Sequence, residues 1–149
     1  MKKTFSVRVT HLHQGVLMRL ADARLVECRV AGGQVGVLPG HVPWMSALLP
    51  GPLRVHTHRR VHELLVSGGL IRVTPDGRLA CLVQDVFDSD HADAEELRRQ
   101  VDELEALRPD REGIDAGWER ELDWHRQCLE AVERHLTSFS GVDHEEEEE

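Results

Sequence analysis

The hydrophobic pattern of this chain changes its period once, near residue 90. Before that point apolar and polar residues alternate in short runs, of which Phe5–Val9 and Leu79–Val83 are the clearest. Alternation puts every second side chain on one face of a strand. Beyond residue 90 the apolar residues recur at spacings of three and four, which is typical of helices. The sequence therefore predicts an α+β fold with the strands first and the helices second.

Turn-forming residues separate the predicted strands, and short strands divided in this way are typical of an all-β sandwich or barrel. We expect residues 1–88 to form an antiparallel β-sandwich or barrel of about ten short strands. Arg54–Val66 should be a hairpin with a polar tip. The turns are Gly32-Gly33, Pro39-Gly40, Pro50-Gly51-Pro52, Gly68-Gly69 and Thr74-Pro75-Asp76-Gly77.

The second part, residues 89–138, is predicted to be an antiparallel hairpin of two helices. Asp88-Ser89-Asp90 supplies candidate N-cap residues, and Pro109, Asp110 and Gly113 break the helical pattern. Residues 139–149 are acidic and low in complexity, so we expect a disordered tail. The apolar stripes are Ala94, Leu97, Val101, Leu104 and Leu107 in the first helix, and Ile114, Trp118, Leu122, His125, Leu129, Val132 and Leu136 in the second.

Charge divides the chain at the same place as the hydrophobic pattern. Residues 1–90 contain eleven Lys/Arg and seven Asp/Glu, whereas residues 91–149 contain seven Lys/Arg and twenty Asp/Glu. A change of this size indicates two parts with different roles. The sequence has no basic stripe with interleaved aromatic residues, so we expect no nucleic-acid partner. The sequence has no apolar run long enough for a membrane-spanning helix and no uninterrupted apolar region of a signal peptide. We therefore expect a protein made and kept in the cytoplasm.

Catalytic motifs do not stand out in the sequence. No glycine-rich loop ends in Lys-Ser or Lys-Thr to hold phosphates. Neither Ser46 nor Ser67 lies in a strand–turn–helix nucleophile elbow. Cys28, Cys81 and Cys128 form no C-x-x-C pair, so we expect reduced and mostly buried thiols. We expect no active site and no bound cofactor or metal.

The segment Gly33–Pro43 contains three glycines, two prolines and one histidine within eleven residues. Glycine reaches backbone angles that other residues avoid, while proline fixes its own φ and lacks a donor. We predict a loop here that Val35, Val37 and Leu38 tie to the core. With so little side-chain bulk at the glycines, another surface can come close to it.

The segment Gly33–Pro43 closely resembles the signature of the epsilon subunit of F-type ATP synthases, which mitochondrial naming calls delta. Ala47–Val55 is similar to the leucine–proline–glycine run of that family, and Val66–Val73 is similar to its serine–glycine–glycine turn. Leu79–Val86 is similar to the family's last strand. The resemblance covers residues 5–90, and a sandwich followed by a helical hairpin is similar to the whole subunit.

The resemblance implies a rotor component of the central stalk, without an active site or cofactor, that couples the gamma subunit to the membrane-embedded ring of c subunits. It implies a peripheral location on the cytoplasmic face of the bacterial inner membrane. It also implies that the hairpin can reach the alpha and beta subunits and modulate ATP hydrolysis. The residues carried over are Gly33, Gln34 and Val35 as a loop facing the c ring, Pro39, Gly40 and His41 facing gamma, and Ser67, Gly68 and Gly69 as a structural turn.

The hairpin departs from the family's pattern in its charge. Family hairpins are rich in alanine and basic residues, whereas residues 91–144 are strongly acidic here. Because like charges would oppose its entry into the acidic catalytic head, we expect a weak or differently triggered restraint of hydrolysis. The family's ATP-binding segment, (Ile/Leu)-Asp-x-x-Arg-Ala, does not occur between His91 and Leu107, and Leu122–Gln127 matches it only in part. We therefore expect no ATP binding by this hairpin.

Two other functions stay open from the residues themselves. His56 and His58 alternate on one predicted strand, so their imidazoles share a face, and His62 can join them across the hairpin. Such a trio suits zinc or nickel and would make the chain a small metal-binding β-barrel enzyme. A polar hairpin tip explains the same histidines, because we expect no nearby Cys, Asp or Glu to complete a site. The other alternative is a free-standing protein-binding adaptor.

Overall fold

The computed structural model of the chain describes residues 3–87, 93–107 and 116–137. These residues form two compact units, which divide between Val86 and Phe87. The predicted α+β fold, a β-sandwich followed by two helices, is confirmed, with nine strands in the described ranges. The elements are β1 (Phe5–His11), β2 (Gly15–Ala23), β3 (Leu25–Val30), β4 (Gly33–Val37), β5 (Trp44–Leu48), β6 (Gly51–His56), β7 (Val61–Val66), β8 (Gly69–Val73), β9 (Leu79–Val83), α1 (Ala94–Ala106) and α2 (Ala116–Thr137).

The strands form one sheet in the order β2-β1-β9-β8-β5-β3-β6-β7, and β4 pairs with β3. The pairs are antiparallel except for β1 and β9, which are parallel. In that pair Val7 lies opposite Leu79, and Val9 lies opposite Cys81. The first and last strands of the unit are therefore neighbours inside the sheet. The predicted hairpin is β6 and β7, which pair from Gly51 opposite Val66 to His56 opposite Val61.

A single hydrophobic core lies against one face of this sheet. Every strand contributes to it, so the sheet must fold over on itself to enclose the cluster. The largest side chains that are almost fully buried are Leu20, Leu53, Ile71 and Leu79. Burying a side chain of this size stabilises the fold by about 1.5–3 kcal/mol.

Helix α1 begins at an N-cap that differs from the predicted one. Asp93 has an extended backbone, and its side chain accepts hydrogen bonds from the amides of Glu95 and Glu96. The same two glutamates place negative charge at the positive end of the helix dipole. The predicted cap residues Asp88-Ser89-Asp90 lie outside the described residues, as do Ile114 and the acidic tail.

Helices α1 and α2 pack antiparallel to each other. The indole Nε1 of Trp118, early in α2, donates to the carbonyl of Leu104, late in α1, over 2.7 Å. At the other end of the helix pair, Arg98 Nη2 lies 3.1 Å from Glu133 Oε2. Trp118 thus lies on the predicted apolar stripe, but Leu107 of the first stripe is 70% exposed. Among the described residues of this unit, the buried side chains are Val101, Leu122, Cys128 and Val132.

Candidate protein-docking site

The glycine-rich segment is a strand followed by a loop. Residues Gly33–Val37 form β4, which pairs with β3 from Val30 opposite Gly33 to Val26 opposite Val37. The predicted loop at Gly33, Gln34 and Val35 is therefore wrong in its secondary structure. A ladder is built from backbone hydrogen bonds, which glycine makes as well as any residue, and the alternation of Val35 and Val37 directs these side chains to the core.

The turn between β3 and β4 is a narrow, exposed tip. Ala31 and Gly32 form it, and Gln34 is exposed beside it. Gly32 and Gly33 have φ angles of +97° and +129°, which L side chains rarely adopt. No described atom lies within 4 Å of the Cβ position of either glycine. The absence of side chains at this tip lets another backbone approach closely.

Residues 38–43 form the loop that connects β4 to β5. Its first four residues make a tight turn, in which the amide of His41 donates to the carbonyl of Leu38 over 3.1 Å. Pro39 occupies the second position and Gly40, at φ +88°, the third. Proline followed by a glycine with positive φ is the signature of a type II turn. The proline and glycines of the motif therefore fix the shape of the loop.

The ring of His41 is held by two neighbours. Its Nδ1 lies 2.7 Å from the carbonyl oxygen of Val42, so Nδ1 carries the proton and donates, because a carbonyl oxygen only accepts. The ring centroid lies 5.5 Å from that of Trp44, with the planes tilted by 50°. Trp44 itself packs against the core. His41 is thus a half-buried, oriented side chain on the loop.

Three large apolar side chains are exposed around this loop. Leu38 is 58% exposed, Val42 is 68% exposed and Met45, at the start of β5, is 64% exposed. We call Leu38, Val42 and Met45 the apolar loop surface. Exposed apolar patches mark sites of protein interaction, and these three side chains are candidates for one. Leu38 was expected to tie the loop to the core, and that is wrong, since the alternation that buries Val37 turns the next residue outward.

The second glycine motif lies where three strands meet. The Ser67 amide donates to the Asp85 carbonyl, and the Asp85 amide donates to Ser67 Oγ, each over 3.0 Å. A Cβ at Gly69 would lie 1.9 Å from the carbonyl oxygen of Leu82, and one at Gly68 would lie 3.2 Å from that of Leu48. Gly69 therefore lies too close to the β9 backbone for any side chain, whereas the contact at Gly68 is tight.

The histidines of the β6–β7 hairpin do not come together as a trio. His62 lies opposite Val55, on the face that meets the core, whereas His56 lies opposite Val61 on the other face. Two of the three have an acidic neighbour that spacing along the chain did not predict. His56 Nε2 is 2.7 Å from Glu27 Oε1, and His58 Nδ1 is 3.7 Å from Asp22 Oδ2. His56 and His58 therefore lie beside different carboxylates.

Another histidine stabilises a turn that the sequence did not single out. His11 is 8% exposed, and its Nδ1 accepts hydrogen bonds from the amides of His13 and Gln14, each over 3.0 Å. These amides belong to the turn between β1 and β2. The pattern His11-x-His13 at the end of an alternating run was visible in the sequence. Spacing alone, however, does not distinguish a histidine that stabilises a turn from one that binds a metal.

Residues 3–87, 93–107 and 116–137 contain neither a cluster of metal ligands nor a membrane-spanning helix. There, His, Cys, Asp and Glu side chains form no group of three that is placed to hold a metal ion. Neither α1 nor the described part of α2 is long and apolar enough to cross a membrane. The three cysteines are buried and free, as the sequence predicts. Among the described residues, the exposed glycine tip and the apolar loop surface are candidates for binding a protein partner.

These features define a class, a small β-sandwich that docks other proteins and carries an appended helical hairpin. A sequence model of the ATP synthase delta/epsilon chain β-sandwich domain matches residues 4–85. The ATP synthase epsilon chain of Thioalkalivibrio sulfidiphilus is 32% identical over 107 residues, which cover 69% of this chain and 74% of that one. The epsilon chain of Bacillus licheniformis is 32% identical over 94 residues, covering 60% and 71%.

Two solved structures have the same fold. A chain of the Euglena gracilis mitochondrial ATP synthase, solved with its F1 and c-ring parts, aligns with a TM-score of 0.67 at 20% identity and covers 91% of this chain and 83% of that one. A chain of the Tetrahymena thermophila central stalk and c ring aligns with a TM-score of 0.60 at 14% identity, covering 89% and 96%. The chain belongs to the ATP synthase delta/epsilon chain family.

Proposed function

We propose that this chain is the epsilon subunit of an F-type ATP synthase, a non-catalytic rotor component that couples gamma to the c ring. It lies on the cytoplasmic face of the bacterial inner membrane and is held there by protein contacts. The observation that carries the proposal is the family match over residues 4–85, which includes the glycine tip and the apolar loop surface. A coupling element needs two separate docking sites, and these two features are candidates for them.

The gamma site is the loop that contains Pro39, Gly40 and His41. The type II turn and the contact between His41 and Trp44 fix the loop before binding, so little conformational entropy is lost when a partner docks. Val42 and Met45 offer apolar side chains that a partner can bury. Fixed turns with apolar anchors at their centre are the pattern of strong protein interfaces.

The c-ring site is the tip of the β3–β4 hairpin, with Gly33, Gln34 and Val35. Gly32 and Gly33 leave the tip without side chains, which suits the close approach of a backbone loop from a c subunit. Gln34 is exposed and uncharged, so it can donate and accept hydrogen bonds without a large desolvation cost. Val35 packs against the core and supports the tip from inside.

The helical hairpin restrains ATP hydrolysis only weakly in this proposal. Residues 91–149 carry twenty Asp/Glu against seven Lys/Arg, so entry into an acidic head would bring like charges together. Removing residues 91–149 from the assembled enzyme should leave its rate of ATP hydrolysis nearly unchanged. A large increase in hydrolysis on removal would show that the hairpin restrains the motor strongly.

Calorimetric titration of this protein into purified gamma subunit tests the gamma site. We expect tight one-to-one binding, weakened by about 30-fold or more in Val42→Asp, because a charge would be buried without a partner at an apolar contact. His41→Ala should weaken binding less. The matched control is Val61→Asp, since Val61 is also an exposed valine, at 49%, but lies in β7 rather than in the loop. An absence of binding at micromolar concentrations would favour a free-standing adaptor instead.

Co-sedimentation with purified c ring tests the other site separately. Gln34→Trp places a bulky side chain beside the tip and should reduce recovery with the c ring while leaving gamma binding intact. Gln14→Trp is the control, because Gln14 is exposed in the β1–β2 turn. Equal loss of recovery in both variants would contradict a c-ring site at the β3–β4 tip.

A further inference from the structure

Three arginines form a row across the outer face of the sheet. Arg8 in β1 lies directly opposite Arg19 in β2, and Ala80 in β9 separates Arg8 from Arg72 in β8. All three arginine side chains are exposed. We call Arg8, Arg19 and Arg72 the arginine row. Neighbouring strands are about 4.8 Å apart, so the row extends over roughly 14 Å.

An apolar row runs beside the arginine row on the same face. Val16 lies opposite Thr10, Thr10 opposite Leu82, and Leu82 opposite Leu70. Val16, Leu82 and Leu70 are 48%, 40% and 48% exposed. These residues are two positions along the strands from the arginine row, or about 7 Å away. The face therefore offers a basic stripe and an apolar stripe side by side.

The charges of the arginine row are not neutralised within the described ranges. Arg54 pairs with Glu63 and Arg78 pairs with Asp76 in the same unit. The described residues offer no such carboxylate to Arg8, Arg19 or Arg72. Like charges directly opposite each other on paired strands destabilise the pair. An anionic segment placed over this face would remove that repulsion.

We propose that the arginine row and the apolar row bind the acidic C-terminal segment of this same chain, residues 142–149. The segment has Val142 followed by Asp143, His144 and five consecutive glutamates. One apolar residue beside a run of carboxylates matches the two rows of the face. Because the segment and the face belong to one chain, their contact is intramolecular and does not depend on protein concentration.

A second copy of the chain fits this face less well. A symmetric dimer through the same face would bring two arginine rows together, and like charges would oppose it. The acidic segment has the opposite sign and is present at one copy per face.

Paramagnetic relaxation with the full chain tests the proposal. A single nitroxide is attached at Glu147→Cys, which is practical because Cys28, Cys81 and Cys128 are buried. At low salt we expect the amide signals of Arg8, Arg72 and Ala80 to lose intensity. In 1 M salt, where the screening length is about 3 Å, the signals should recover.

Two variants and one mixture make the outcome decisive. The double variant Arg8→Gln/Arg72→Gln should abolish the intensity loss at Ala80, whereas Arg24→Gln, an exposed arginine outside the row, should retain it. Full signal intensity over β1, β8 and β9 at low salt would overturn the proposal. Intensity loss in a mixture of spin-labelled and isotope-labelled chains would assign the contact to a second copy and also overturn it. Neither result bears on the binding of gamma.

Discussion

Gly69 lies so close to Leu82 that a Cβ at position 69 would be 1.9 Å from the Leu82 carbonyl oxygen. The φ angle of Gly69 is +145°, so a side chain there is disfavoured by its own backbone as well. The two restraints act together where β8 begins and β9 passes. The glycine is thus a condition for the pairing of these two strands.

We predict that Gly69→Ala lowers the free energy of unfolding by more than the approximately 1–3 kcal/mol expected for a strained backbone angle. The alanine must also displace the β9 backbone. Urea titration followed by circular dichroism measures the change. The control is Gly33→Ala, which has a similar φ of +129° but no described atom near its Cβ position. Equal losses in the two variants would contradict the close contact with Leu82.

The His11 ring is predicted to stabilise the β1–β2 turn through its Nδ1. His11→Ala removes the acceptor for two amides and should lower the free energy of unfolding by about 1–2 kcal/mol. His11→Asn should recover part of the loss, because its amide oxygen can accept near the same place. Thermal unfolding measures both. His13→Ala is the control, since His13 contributes its backbone amide; a loss as large as that of His11→Ala would contradict the account.

Alkaline pH should destabilise the sandwich through its buried thiols. Burial raises the pKa of Cys28 from 9.0 to about 11, and it raises the pKa of Cys81 further. The unfolded chain therefore releases these protons first, so the stabilisation is complete below pH 9 and is lost as pH rises toward 11. The chain has no tyrosine, and its lysines are Lys2 and Lys3, so few other groups titrate in this range.

Urea unfolding between pH 8 and pH 11 measures this dependence. The free energy of unfolding should fall with pH in the native sequence and fall less steeply in Cys28→Ala, which has one fewer buried thiol. The cavity left by the substitution lowers stability at every pH and leaves the slope unaffected. An identical slope in the two proteins would mean that the thiol of Cys28 does not titrate differently on folding.

The sequence predicts the strands well because burial follows alternation, as Phe5, Val7 and Val9 illustrate. It fails at Gly33–Val37, because glycine content suggested a loop while backbone pairing with β3 makes a strand. The side of the sheet on which His62 lies depends on the register with Val55, which spacing within one strand does not contain. The turn at Pro39 and Gly40 was predictable, since both residues restrict φ in known ways.

The exposed surfaces were less predictable than the core. Leu38 and Met45 are apolar, and composition alone assigns such residues to the interior. The arginine row forms only when β1, β2 and β8 are brought into one sheet, from positions as far apart in sequence as Arg8 and Arg72. A docking site consists of residues that stay exposed after folding, and strand order determines which exposed residues become neighbours.

The most direct test of the central proposal is ATP-driven ion transport by the reconstituted enzyme. Vesicles containing the c ring and the other subunits are assembled with or without this chain, and a potential-sensitive dye reports transport of either protons or sodium ions. The account predicts transport with the chain, and ATP hydrolysis without transport when the chain is omitted or replaced by Val42→Asp. Full transport in its absence would contradict a role in coupling gamma to the c ring.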